Sequence, residues 1–237
     1  MTGRVIFVSA GPGAADLITL RGARALSQAD VVLADALTDP ALRELAPQAR
    51  WISVGKRGFE HSAKQTEINA LLVKAALEPH ALVVRLKGGD ASVFGRLEEE
   101  LTALAEAGIA SEVVPGVTAA LAAAAQAQRP LTRRGRGRSV SLTTAMTEAG
   151  DLRAARSADT PTLVISRAGC ADALTSEHAL ADLARAALLH RGRPTVVTVG
   201  TGALPIAGQD QVLTPTKIGD SPETLPSQAP LTSPSCP

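Results

Sequence analysis

Val5–Val8 is an unbroken apolar run, Val31–Leu33 is another, and Ala81–Leu86 is a third stretch that is apolar at every position but Arg85. A continuous run of this length is the mark of a strand buried on both faces, which happens when helices cover both sides of a parallel sheet. Between the runs the period changes. Leu17, Leu20, Ala23 and Leu26 recur near helical spacing, and Ile68, Leu71, Leu72, Ala75 and Ala76 give a clean helical face behind a capping-box pair, Ser62 and Gln65. Strands that alternate with helices require a largely parallel sheet with right-handed crossovers, so the chain reads as α/β.

The same reading extends to the remaining segments. Ile52–Val54 is a short strand running into Gly55-Lys56-Arg57-Gly58, Leu97, Leu101 and Leu104 mark a helix, and Glu112–Val114 is a strand that Pro115-Gly116 terminates. Thr118 is placed to cap an Ala-rich helix over about 119–127. Ser139–Thr144, Thr162–Ser166 and Thr195–Val199 are expected as strands, with a helix over about 171–190. The change of character after Pro115 sets the domains: 1–115 as one α/β domain, 116–218 as a second, and 219–237 as a tail. That tail, GDSPETLPSQAPLTSPSCP, holds too little apolar area to offset its ordering entropy and is expected to be disordered.

Composition excludes several function classes. The chain has no Tyr, one Trp and three Phe, so its core is aliphatic and it has few of the rings on which single-stranded nucleic acid stacks. A formal net charge of +1 argues against a generally basic nucleic-acid binder. Cys170 and Cys236 are far apart and offer neither a disulfide framework nor a zinc spacing; no metal is expected. No apolar stretch is long enough to span a bilayer, and nothing resembles a signal peptide, so a cytoplasmic protein is expected.

The residues that carry chemistry follow the strands. The stretch 85–96 reads RLKGGDASVFGR, a strand ending in two glycines. Glycines there let a ligand approach bare backbone, and Asp90 adds a carboxylate at the mouth where open α/β sheets bind ligands. Asp35, Gly55–Arg57, Lys87–Asp90, Pro115–Thr118 and Gly200–Gly202 all follow expected strands and are expected to converge on one cleft. Gly11-Pro12-Gly13 is not a dinucleotide fingerprint, because Asp16 stands where the third glycine belongs, and no P-loop pattern occurs. Taken alone, Asp35 reads equally as a helix cap after a strand, and Lys56 as a solvated lysine.

In its motifs the chain resembles the tetrapyrrole methylase family, most of all the members that C-methylate uroporphyrinogen III. The matching stretches are SAGPGAADLITLRGARALSQADVVLADAL, VGKRGFEHSAKQTEINALLV, VVRLKGGDASVFGR, EVVPGVTAA and RPLTRRGRGRSV, with looser matches at TLVISRAG and TVVTVGTG. The resemblance implies a two-domain α/β enzyme, with a mostly parallel sheet in the first domain and a mixed sheet in the second. It implies a homodimer, S-adenosylmethionine held between the domains, and methylation at C2 and C7 to give precorrin-2 for sirohaem and cobalamin.

By the same resemblance Asp35 is the proton acceptor and Lys56 the donor, an acid/base pair suited to moving protons around the macrocycle. The cofactor positions carried over are Pro12, Gly88, Gly89, Asp90, Val93, Thr118, Ala119 and Gly200. The substrate bears eight carboxylates, which arginine grips in bidentate fashion. Arg57, Lys87, Arg96, Arg133 and Arg134 are the candidates to meet them. The last two belong to the segment Arg129–Arg138, which holds five arginines and no acid and reads equally as a solvated basic loop. The chain departs from the family pattern at Ala34, Ala91, Ser92, Leu97, Glu98 and Arg133. Arg167 stands at the position of a cofactor-proximal Met, and the Pro/Ser-rich tail replaces a final strand. These departures keep two alternatives in view: a relative that binds tetrapyrrole or S-adenosylmethionine without turnover, and a methylase of another corrin precursor.

Overall fold

The computed structural model describes residues 2–55, 65–137, 139–143 and 157–205. Its first layer is a five-stranded sheet of order β3-β2-β4-β1-β5, formed by β1 (Arg4–Ser9), β2 (Val31–Ala34), β3 (Arg50–Ser53), β4 (Leu82–Lys87) and β5 (Ala110–Val114). Every pairing in it is parallel. Successive side chains leave opposite faces. Ile6, Val8, Val32, Val84 and Leu86 pack beneath α1 (Leu20–Ser27), whereas Val5, Phe7, Val31, Leu33 and Val83 face α2 (Gln65–Ala76) and α3 (Leu97–Glu106). Both faces are thus covered, which is why the strands read as continuous apolar runs. The helix starts differ in kind. Thr19 Oγ1 caps α1 by accepting the Gly22 N–H at 3.1 Å. The α3 helix starts on Arg96 at φ 52° without a side-chain cap and carries Glu98, Glu99 and Glu100 in its first turn, where the helix dipole favours anions. Ser62 of the expected capping box lies outside the described residues.

The first sheet ends at Val114, and a second cluster begins with Val117 and Ala122. It joins α4 (Ala119–Gln126) to a three-stranded sheet of order β7-β6-β8: β6 (Pro161–Ser166), β7 (Leu174–Ala179) and β8 (Thr195–Val199). Over the described residues this sheet, expected to be mixed, is antiparallel throughout.

Two expectations for local structure need correction. The helix expected over 171–190 is instead β7 followed by α5 (Leu183–Leu189). The Ala/Leu content favours a helix, but β6 is buried and needs backbone partners on both sides. β8 supplies one side, and the 174–179 segment is drawn into the sheet to supply the other. The strand expected at Ser139–Thr144 is absent over 139–143, where Val140 and Leu142 stay exposed and no strand pairs with them. Thr144 and the tail at 219–237 lie outside the described residues.

Candidate active site

β2, β4, β1 and β5 lie side by side, so the segments that follow them meet along one edge. The loops after β1 and β4 are knitted together. Gly11 donates to the Gly89 carbonyl at 3.2 Å, and Gly89 donates back to the Gly11 carbonyl at 2.7 Å. Gly89 has φ +66° with open space where a side chain would begin. Gly116, in the loop after β5, is needed for a different reason: a Cβ there would sit 2.5 Å from the Ser9 Cβ. The Ser9 hydroxyl in turn accepts the Ala91 N–H at 3.0 Å. The floor of the mouth is therefore bare backbone from neighbouring loops, with Gly88 beside it, half-buried against Leu37.

Asp90 fastens this floor. One carboxylate oxygen accepts the Gly116 N–H at 2.8 Å, and the other accepts the Ser92 N–H at 2.8 Å and the Ser92 hydroxyl. Burial acts to raise its pKa, but these hydrogen bonds outweigh it and hold the carboxyl below the usual carboxylate value. Beyond Asp90, Val93 closes the turn by donating to the Asp90 carbonyl at 3.1 Å. Phe94 and Arg96 then adopt left-handed backbone, at φ 55° and 52°. Such conformations in non-glycine residues gather at functional sites. Arg96 forks onto Glu99 at 2.7 and 2.8 Å on the exposed surface.

Asp35 stands just past β2 with its side chain about one-third exposed, and its Oδ1 accepts a 2.6 Å bond from Arg85 Nη2. Arg85 is 1% exposed and also meets Glu100, which is fully buried. Lys87 Nζ binds the same carboxylate at 2.8 Å. Sequence reasoning missed Arg85, Glu100 and Ser9; the available signal was one arginine inside an otherwise apolar strand. Lys87, expected to meet substrate, needs correction. It is 3% exposed, and its ammonium is spent on Glu100 beneath the mouth. Burial, then the Arg85 charge, depresses its pKa against the pull of Glu100.

The other expected residues separate into groups. Pro12 is at the mouth, beside Gly169. Thr118 and Ala119 begin α4, with Thr118 in the N-cap position but making no capping hydrogen bond through its side chain. Gly200 does not join them. Because β8 runs antiparallel to β6, Gly200 sits by Pro161 at the start of β6, and it is the segment after β6 that reaches the mouth. Arg133, expected to meet substrate, donates instead to the carbonyls of Leu204 and Pro205, whereas Arg134 is exposed. Lys56 and Arg57 lie outside the described residues.

The segment after β6 presents Gly169 and Cys170 to the Pro12-Gly13 turn. A Cβ on Gly13 would fall within 2.4 Å of the Cys170 sulfur. Burial pushes the Cys170 thiol above its usual pKa. Arg167 is held away by Asp172, at 2.7 Å between exposed side chains, so its charge is balanced at the surface.

The model of the tetrapyrrole (corrin/porphyrin) methylases matches residues 4–205. Siroheme synthase 1 of Klebsiella pneumoniae is 58% identical over 134 residues, which is 56% of this chain and 28% of that protein. The uroporphyrinogen-III C-methyltransferase of Pseudomonas aeruginosa is 49% identical over 148 residues, 62% of this chain and 60% of that one. The chain thus spans less than two thirds of the length of either relative. Among solved structures, a uroporphyrin-III C-methyltransferase from Thermus thermophilus, complexed with S-adenosylhomocysteine, superposes with a TM-score of 0.71 at 33% identity, covering 84% of this chain and 98% of that one. The parallel sheet with its glycine-floored mouth and the extent of these matches lead to one conclusion: the chain belongs to the tetrapyrrole methylase family.

Proposed function

We propose that this chain transfers methyl groups from S-adenosylmethionine to C2 and C7 of uroporphyrinogen III, giving precorrin-2 for sirohaem and cobalamin synthesis. The observation that carries this reading is the placement of Asp35. A carboxylate gripped by a buried arginine stands on the same strand edge as a floor of bare backbone at Gly11, Gly88 and Gly89. The open space over Gly89 suits a ligand that packs against main chain. The cofactor, when bound, supplies an electrophilic methyl on a sulfonium sulfur.

The chain's own residues do the rest. The loops after β1, β4 and β5 hold and orient the donor, which is where positioning contributes to rate. Asp35 receives the proton that the macrocycle must lose once a ring carbon has gained a methyl group. Lys56 serves as donor, and Arg57, Arg96 and Arg134 are the cations for the substrate's carboxylates. No described helix is long and apolar enough to cross a membrane. A cytoplasmic homodimer is part of this proposal.

Anaerobic incubation of the purified chain with uroporphyrinogen III and labelled S-adenosylmethionine, followed by mass analysis of the tetrapyrrole, tests it. Gain of two methyl groups is the expected result. Tight cofactor binding with no gain would replace this reading by that of a binding-only relative, for which the burial of Lys87 and the capture of Arg133 by backbone carbonyls would then speak.

A further inference from the structure

The buried arginine behind Asp35 is the least expected feature of the first sheet. In strand register Arg85 lies between Phe7 on β1 and Leu33 on β2, both fully buried and apolar. A leucine or phenylalanine would fill that place without taking a charge out of water, which is costly even when the charge is paired. All five N–H donors of a guanidinium are accounted for here. Nε and one Nη2 hydrogen form a fork on Glu100 at 3.2 and 3.1 Å. Nη1 meets the carbonyls of Leu33 and Leu86 at 3.3 and 3.2 Å. The remaining Nη2 hydrogen goes to Asp35 Oδ1 at 2.6 Å, the shortest bond of the set.

Glu100 is the anchor of the arrangement. Besides Arg85 it accepts Lys87 Nζ at 2.8 Å and Gln65 Nε2 at 3.2 Å, so it cannot rotate without breaking several bonds at once. The charged members are Asp35, Arg85, Glu100 and Lys87, two of each sign, and the cluster is balanced. Only Asp35 has substantial exposure, and it faces the mouth from the end of β2.

We propose that Arg85 is a positioning residue for Asp35, that Glu100 on α3 fixes the direction in which Arg85 points, and that the pair holds the Asp35 carboxylate in the orientation required to receive a proton from substrate. This rests on the reading of Asp35 as the proton acceptor. Burial of an ion network is reasonable on this view: a rigid guanidinium, locked from behind, transmits the position of α3 to a carboxylate otherwise free to turn on a loop.

The test compares Glu100→Gln and Arg85→Lys with wild type and with Asp35→Asn, using cofactor affinity by calorimetry, KM for tetrapyrrole and single-turnover methyl transfer. Each of the first two variants should lower kcat by about tenfold to a hundredfold, while KM and cofactor Kd stay within about twofold. In an Asp35→Asn background, followed over hours with radiolabelled cofactor, Glu100→Gln should change the residual rate by less than about twofold, because both changes act through one group. In the ligand-free protein, the slowly exchanging Arg85 guanidinium resonances should shift on Asp35→Asn. Should Glu100→Gln not fold, Lys87→Met combined with Glu100→Gln keeps the cluster's charge balanced and takes its place.

Full turnover in Asp35→Asn would remove the reading beneath the inference. Inactive Asp35→Asn together with normal kcat in folded Glu100→Gln would overturn the inference alone. A full further loss in the double variant, an equal loss of cofactor binding, or unchanged Arg85 resonances would overturn it as well.

Discussion

Asp90 Oδ2 accepts the Gly116 N–H at 2.8 Å, and this bond ties the loop after β4 to the loop after β5 across the end of β1. The carboxylate acts on the protein before it acts on any ligand. Both of its oxygens already have donors, and we propose that its part in cofactor binding is to hold the shape of the floor.

Asp90→Ala should therefore lose stability as well as cofactor affinity. The partly buried Gly116 N–H loses its acceptor, at a cost of about 1 kcal/mol, readable as a lower urea midpoint, whereas water replaces the carboxylate at the exposed Ser92 N–H. Unchanged stability with weaker binding would assign Asp90 to direct ligand contact instead.

The same residue gives a pH signature. Its folded pKa lies below its unfolded one, so its stabilising effect is complete above the ordinary carboxylate range of about 4 and is lost as pH falls through the lowered folded value. Acid unfolding of wild type and Asp90→Asn should show a stability gap at neutral pH that narrows below pH ~4. A gap that stays constant through that range would dissociate Asp90 from the acid sensitivity.

Two glycines at the mouth should fail in different ways. Gly116→Ala drives a methyl group into the Ser9 Cβ and backbone and should cost about 1–3 kcal/mol of stability. Gly89→Ala meets nothing, so its cost is confined to the left-handed backbone, about 1–2 kcal/mol, and its larger effect should be on cofactor affinity. Thermal unfolding paired with calorimetry separates the two; equal binding losses would put the ligand elsewhere.

Cys170, with its thiol pushed up by burial beside Gly13, should react slowly with thiol reagents at neutral pH and faster as pH rises. In a Cys236→Ser background, S-adenosylhomocysteine should slow the reaction further. Labelling that is rapid at pH 7 and indifferent to the ligand would place the thiol outside the cleft.

The first sheet was legible because its strands are buried on both faces, and burial leaves a mark in composition: Val5–Val8 and Val31–Leu33 are short unbroken apolar runs, too short for a helix of their own and alternating with helical patterns. The mouth was legible because glycine and Asp at strand ends mark places where backbone is approached closely. The buried ion cluster was not, since Arg85 and Glu100 look like ordinary solvated charges until register and helix packing bring them together. Lys87 was misplaced for the same reason: a lysine beside two glycines reads as a surface cation, whereas the strand's last position lies under the loop. In the second sheet, β7 was not legible because the Ala and Leu around it carry helix propensity, and only the needs of β6 override it. Gly200 rests on the resemblance and on reading Gly200–Gly202 as one more strand end at the cleft, whereas β8 runs antiparallel to β6 and ends away from it.

The order of the first sheet has a bearing on synthesis. β1 emerges first but bonds only to β4 and β5, never to β2, its successor in the chain. During translation the Val-Ile-Phe-Val stretch must wait, unpaired, until Leu82–Lys87 has left the ribosome. Contacts between segments so distant in sequence form slowly, because the intervening chain must be closed into a loop first. The Gly11–Gly89 link can only follow that closure, so the cleft is among the last parts of the sheet to exist, and a nascent chain stalled before β4 exposes an aggregation-prone strand with no native partner to cover it.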